Sequence, residues 1–360
     1  MAYPMHRGAL IGCGFIANQK HLPALAKLEN RIQLVAFCDL VEERAQKAAK
    51  EYGTPDAAVY TDYREMLRRS DLDVVYILTP NRTHCELTIA ALESGKDVLC
   101  EKPMALNSVE AERMCEAARA SGRQLTIGYQ NRYRLDSRYL KKVVENGELG
   151  EVYLAKAHAV RRRGIPTWGV FFNEAEHGGG ALIDIGTHAL DMTLWIMNNY
   201  KPKRVSGSVY KKLGKGDTAG NAFGPWDNEH ITVEDSAFGY ITMENGATVF
   251  LEAILALNTR ETREQKVTLC GTRAGADMND GVCINSVCSG ELAETRPLLR
   301  QTGVPGEDLA KNEADFEAEM WLDALDTGKP TLVRPEQAMV VTQILEAIYE
   351  SARTGKEVEL

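Results

Sequence analysis

The chain has 360 residues, 44% of them hydrophobic and 26% charged, and a net charge of −9. Its length exceeds one ordinary core and predicts two domains, while the balance excludes disordered and collagen-like classes. The acidic charge argues against nucleic acid or an anionic membrane as main partner, and no apolar run reaches the roughly 18 residues of a membrane span. Residues 1–7 lead into an apolar segment without a signal-peptide pattern, so a cytoplasmic location is expected. The eight cysteines are scattered, with only Cys283 and Cys288 close together and none at zinc spacing. They are expected to act as small buried hydrophobes, and no metal site is expected.

The first third alternates strand and helix. Strands are predicted over Arg7–Gly12, Gln33–Asp39, Val74–Leu78, Val98–Cys100 and Leu125–Gly128. Helices are predicted between them, over Phe15–Lys27, Val41–Tyr52, Thr83–Ser94 and Ser108–Ala120. Short apolar runs separated by helices are what a parallel sheet covered on both faces requires, so a doubly wound Rossmann sheet is expected over 1–130. After residue 130 the pattern changes. Helices are predicted over Asp136–Glu145 and Ala181–Met197, and strands over Glu151–Val160, Val205–Tyr210, Ser236–Met243, Ala247–Leu257 and Lys266–Cys270. Asn245-Gly246 signals a hairpin. A second α/β domain over 131–360 with a large, mostly antiparallel sheet follows. Its exposed face would be a large apolar patch and is expected to pair with another subunit. A loop over Thr302–Asn312 and helices over Glu313–Leu325 and Glu336–Arg353 complete the chain.

The first strand runs into Gly12-Cys13-Gly14-Phe15-Ile16-Ala17, a G-x-G-x-x-A turn before a helix. Its first glycine permits the tight turn, the second lets a pyrophosphate approach, and the helix start offers N–H groups to phosphate. The second strand ends in Asp39, whose carboxylate suits both ribose hydroxyls. It would repel a 2′-phosphate by about 1–4 kcal/mol at about 4 Å, and Leu40 beside it is no arginine. NAD is therefore expected over NADP. The third strand ends in Thr79-Pro80-Asn81, with His84 opening the next helix, at the sheet end where such folds bind ligands.

The fourth strand ends in Glu101-Lys102-Pro103. An ammonium there can polarise a hydroxyl or, desolvated, act as a base. After Gly178-Gly179-Gly180, Asp184 and His188 stand four residues apart, on one face if the segment is a helix. A carboxylate–imidazole pair suits proton transfer near neutral pH; the same spacing also suits a surface ion pair.

Together these motifs resemble the glucose–fructose oxidoreductase and inositol dehydrogenase (Gfo/Idh/MocA) family along essentially the whole chain. The resemblance implies a lysine, an aspartate and a histidine around nicotinamide and substrate hydroxyl, here Lys102, Asp184 and His188. It also implies that Gln130, Asn131 and Arg132 help line the cofactor and substrate pocket, that Trp168 stands beside the ligand, and that the helix at 336–353 packs back onto the first domain. Arg161-Arg162-Arg163 near Trp168 suits clamping a polyhydroxylated ligand and equally a solvated or subunit-facing run. With Ala157-His158-Ala159, this stretch resembles the branch acting on glycosides, typically at carbon 3 of a glucoside.

The expected activity is NAD-dependent hydride transfer between nicotinamide and a ring secondary alcohol of a sugar, glycoside or inositol. His188 and Lys102 share the proton and polarising roles, in either order. A redox-assisted glycosidase needs the same residues; a non-catalytic nucleotide-binding sensor would not need Lys102 and His188. A homodimer or homotetramer is expected.

Overall fold

In a computed structural model the described residues are 4–299 and 311–360, so the loop expected over 302–312 lies almost wholly outside them. Two compact units are present, residues 1–133 with 310–339 and residues 134–309 with 340–360.

The first unit holds β1 (His6–Ile11), a π-helical turn (Ala17–His21) running into α1 (Leu22–Ala26), β2 (Ile32–Cys38), α2 (Glu42–Tyr52), β3 (Ala58–Tyr60), α3 (Tyr63–Leu67), β4 (Val74–Ile77), α4 (His84–Glu93), β5 (Asp97–Cys100), α5 (Ser108–Ser121) and β6 (Leu125–Ile127). The parallel sheet runs β3-β2-β1-β4-β5-β6. The order reverses between β1 and β4, which opens a ligand crevice at the strands' carboxyl ends. β4 is buried at every position, as strands covered on both faces must be.

The second unit holds α6 (Leu135–Glu145), β7 (Val152–Val160), α7 (Glu174–His177), a π-helical turn (Leu182–Gly186) continuing as α8 (Thr187–Met197), β8 (Pro202–Tyr210), β9 (Ser236–Met243), β10 (Thr248–Ile254), β11 (Arg263–Gly271), β12 (Gly275–Asp277), β13 (Cys283–Cys288) and β14 (Glu291–Thr295). The chain then returns to the first unit with α9 (Glu313–Thr327), where Ala318, Trp321 and Leu322 join the core of β1, β2 and β4. The unit boundary falls inside α10 (Pro335–Thr354), and β15 (Val358–Glu359) ends the chain. The nine-stranded sheet runs β14-β13-β12-β11-β7-β10-β9-β8-β15 and is antiparallel apart from the β10–β7 pair. Gly246 takes φ +85° at the Asn245-Gly246 hairpin joining β9 to β10.

Candidate active site

The turn after β1 is shaped by its glycines. Gly12 has φ +94°, and a Cβ there would stand 2.6 Å from the Leu78 carbonyl oxygen, so no other residue fits. Over Gly14, by contrast, a Cβ would meet nothing within 4 Å, and this open space is where backbone can meet a phosphate. Phe15 is 64% exposed beside it, and Ile16 caps the π turn. Asp39 braces the turn: Oδ2 accepts from the Cys13 N–H (2.8 Å) and Oδ1 from the Val41 N–H (2.9 Å). Each oxygen keeps a further lone pair for a ribose hydroxyl. Burial and the Asp39 charge push the Cys13 thiol up to about 12, so it stays protonated and inert.

At the carboxyl end of β5, Glu101 is only 5% exposed. Its Oε1 accepts from Lys20 Nζ (2.7 Å) and faces His21 Nε2 (2.8 Å), while Oε2 accepts from the Lys102 N–H (3.0 Å). Lys20 also reaches Glu317 on α9 (2.7 Å). Burial opposes the Glu101 charge, but Lys20 and His21 together hold its carboxyl well below the ordinary range. Glu101 therefore braces the main chain at Lys102. His84 has no exposed surface; its ring nitrogens lie against the carbonyls of Pro103 (2.8 Å) and Thr79 (2.9 Å), and burial lowers its pKa. It ties the segments that follow β4 and β5 together. Arg132 is likewise fully buried, donating to the Leu332 carbonyl and to Gln337. Asn131 is buried beside it, leaving Gln130 half-buried at this turn. Thr79 is half-buried, Pro80 exposed and Asn81 buried at the end of β4. Lys102 itself is half-buried and precedes a cis peptide to Pro103.

In the second unit, every residue from Ala181 to Met197 is buried except Asp184 and His188. A surface ion pair would sit on an open helix face; here two polar groups are the only openings in an apolar segment. The turn carrying Asp184 is π-helical where an α-helix was expected, a geometry frequent at functional sites. Gly186 is needed because a Cβ would lie 2.8 Å from the Ala253 Cβ on β10.

Arg161 and Trp168 lie on the connection from β7 toward this turn. Trp168 packs edge-on against Phe223 (4.9 Å), and the Arg161 guanidinium sits over Phe223 (5.6 Å) while pairing with Glu264. Arg163 bonds Asn258 (2.9 Å). His158 is buried in β7 between Glu252 (2.7 Å) and Thr268 (3.2 Å), on the sheet.

Residues 6–129 match the model of the oxidoreductase family with NAD-binding Rossmann fold, and residues 141–360 match that family's C-terminal alpha/beta domain. The chain belongs to this Gfo/Idh/MocA family. It is 38% identical to D-glucoside 3-dehydrogenase of Escherichia coli K12, over 98% of this chain and 97% of that one. It is 29% identical to inositol 2-dehydrogenase of Salmonella typhimurium, over 55% of this chain and 57% of that protein. Levoglucosan dehydrogenase in complex with NADH and levoglucosan shares the fold, with a TM-score of 0.83 at 22% identity over 99% of both chains. As a Gfo/Idh/MocA oxidoreductase the protein is an enzyme and uses NAD, and the Gly12–Gly14 turn braced by Asp39 fits that nucleotide. Among the described residues, no group of three or more His, Cys, Asp and Glu side chains could hold a metal, and no helix is long and apolar enough to cross a membrane.

Several site residues escape a reading of motifs. Lys20 and His21 sit one turn after the glycine loop, and Glu317 lies far along the chain. Nothing in the polar run Asn18-Gln19-Lys20-His21 marks the last two as buried.

Proposed function

We propose that this oxidoreductase dehydrogenates a secondary ring alcohol of a glycoside, at carbon 3 of a glucoside in the first instance. The observation that carries the reading is the confinement of all exposure on the Ala181–Met197 segment to Asp184 and His188; the 38% identity to a D-glucoside 3-dehydrogenase supports the substrate class. The Gly12–Gly14 turn, Phe15, Ile16, Asp39 and the Thr79–Asn81 turn would hold NAD, which when bound accepts a hydride from the carbinol carbon. Lys102 polarises the hydroxyl, His188 takes its proton, and Asp184 orients the imidazole and the ligand. Trp168 and Arg163 line the sugar in this reading, and Gln130 lines the cofactor. The test is incubation with NAD and a panel of O- and C-glucosides, free hexoses and inositols, following NADH absorbance. NADH formed stoichiometrically with a glucoside is expected. Aglycone release without NADH would identify a redox glycosidase instead.

Asp39 sets the choice of nucleotide in this reading. Asp39→Ala is expected to raise KM for NAD, because the turn at Cys13 loses its brace, and to narrow the ratio of kcat/KM between NAD and NADP. A ratio equal to the wild type's would refute the assignment.

An exposed aromatic face of the sheet supports a homo-oligomer in this reading. Tyr210, Phe238, Tyr240 and Phe250 share the face of β8–β10 opposite the buried Val205, Ile241 and Val249. Two edge-to-face contacts join them, Tyr210–Phe238 at 6.1 Å and Tyr240–Phe250 at 5.3 Å. This aromatic face pairs with a second copy of the chain in our reading. Light scattering should give a multiple of 39.8 kDa, and a monomer at micromolar concentration would exclude it. The free cysteines suit a reducing compartment such as the cytosol.

A further inference from the structure

The three N–H groups that open the Asp184–His188 segment all end on one residue. Gly180 N–H donates to Glu234 Oε2 (2.7 Å), Ala181 N–H to the Glu234 carbonyl (3.2 Å) and Leu182 N–H to Glu234 Oε1 (2.9 Å). Such first-turn donors have no partner within their own helix. The Tyr349 hydroxyl donates to the same Oε1 (2.9 Å). The glycine run is what admits this arrangement. A Cβ at Gly180 would stand 2.0 Å from the Glu234 carbonyl oxygen, and one at Gly179 2.0 Å from the Tyr349 hydroxyl. The neighbouring Asp235 is engaged elsewhere, its Oδ2 accepting from the N–H groups of Lys212, Leu213 and Gly214. Glu234 is buried, so its carboxylate serves the turn and no solvent-facing role.

From these anchors the geometry passes directly to the two open side chains. The Asp184 N–H bonds the Gly180 carbonyl (2.9 Å), and the Thr187 N–H, next to His188, bonds the Leu182 carbonyl. We infer that Glu234, locked by Tyr349, is a positioning residue that sets the orientation of Asp184 and His188 by clamping the first turn of their helix. This rests on the reading that Asp184 and His188 act on the substrate hydroxyl. Displacing a reacting group by about 1 Å costs on the order of 100-fold in rate.

The test uses the full chain with NAD and methyl β-D-glucoside, unlabelled and deuterated at carbon 3. In Glu234→Gln, the amide keeps the length but turns an N–H toward backbone donors. We expect kcat to fall about 10-fold or more, KM for NAD to stay within about twofold, and the deuterium isotope effect on kcat to rise as the chemical step becomes slower. Hydrogen exchange should quicken in the 178–190 peptide. Tyr349→Phe, which leaves the carboxylate and its backbone donors in place, should show the same signature at smaller amplitude. It decides the matter if the glutamine variant does not fold. Wild-type kcat in both variants overturns the inference, as does a loss of kcat that merely follows lost folded protein with an unchanged isotope effect. Equal turnover by wild type and His188→Ala would instead overturn the underlying reading of the site.

Discussion

Lys102→Met is expected to lower kcat by about 100-fold or more, and His188→Ala to do the same, while NADH binding measured by fluorescence stays close to wild type. Methionine keeps the unbranched stem of Lys102 and removes only the ammonium. The main chain around it is held independently of the side chain. The Lys102 N–H is bonded to Glu101, and the next residue's carbonyl lies against His84. The substitution therefore deletes a charge from a prepared frame and leaves the frame intact. His188 sits in a segment packed on all sides but two positions, so its truncation removes the imidazole without unfolding the helix. A general acid–base group contributes typically about 100- to 10,000-fold, larger than expected from Asp39. Turnover within a few-fold of wild type in either variant, with NAD saturating, would defeat the proposed roles.

The fold was legible wherever apolar period and turn chemistry agreed. β9 falls at Ser236–Met243 as read, and the Asn245-Gly246 hairpin follows it. β3 and α3 were missed because Ala58–Tyr60 and Tyr63–Leu67 are too short to show a period. β12, β13 and β14 were missed because they are short and mostly polar or exposed, with only Ala276 and Cys283 buried. The two π turns were invisible for another reason: one extra residue per turn barely alters an apolar stripe over five positions. The spacing of Asp184 and His188 against an apolar background was legible, and these are the two half-buried positions of their segment. The burial of Glu101, His84 and Arg132 could not be read, because a motif gives the residue type and place but not its exposure. Glu234 could not be read at all. Its partners Gly180, Leu182 and Tyr349 lie 54, 52 and 115 positions away, and only folding brings them together.

Lys20→Met is expected to destabilise the first unit by about 3–5 kcal/mol, the cost of breaking a buried ion pair from one side. Lys20 lies between Glu101 and Glu317, each at 2.7 Å, with all three side chains at or below 7% exposure. Without the ammonium, two carboxylates share a dry space with one imidazole. The pH dependence gives a second readout. In the wild type, the Glu101 carboxyl is held below its unfolded value. Its contribution to stability is present above about pH 4.3, the unfolded glutamate value, and fades as pH falls toward the depressed folded value. Burial lowers the Lys20 pKa, but Glu101 and Glu317 outweigh it and the net shift is upward. Its contribution is therefore present below about pH 10.4 and is lost as pH rises through the folded value. In Lys20→Met, burial acts on Glu101 with only His21 to oppose it, so ionisation no longer favours the folded state and the acid limb of the stability curve flattens. Chemical denaturation between pH 3.5 and 8 measures both effects. A variant as stable as wild type at pH 7, with the same acid limb, would show that the Lys20–Glu101–Glu317 cluster does not hold the first unit together.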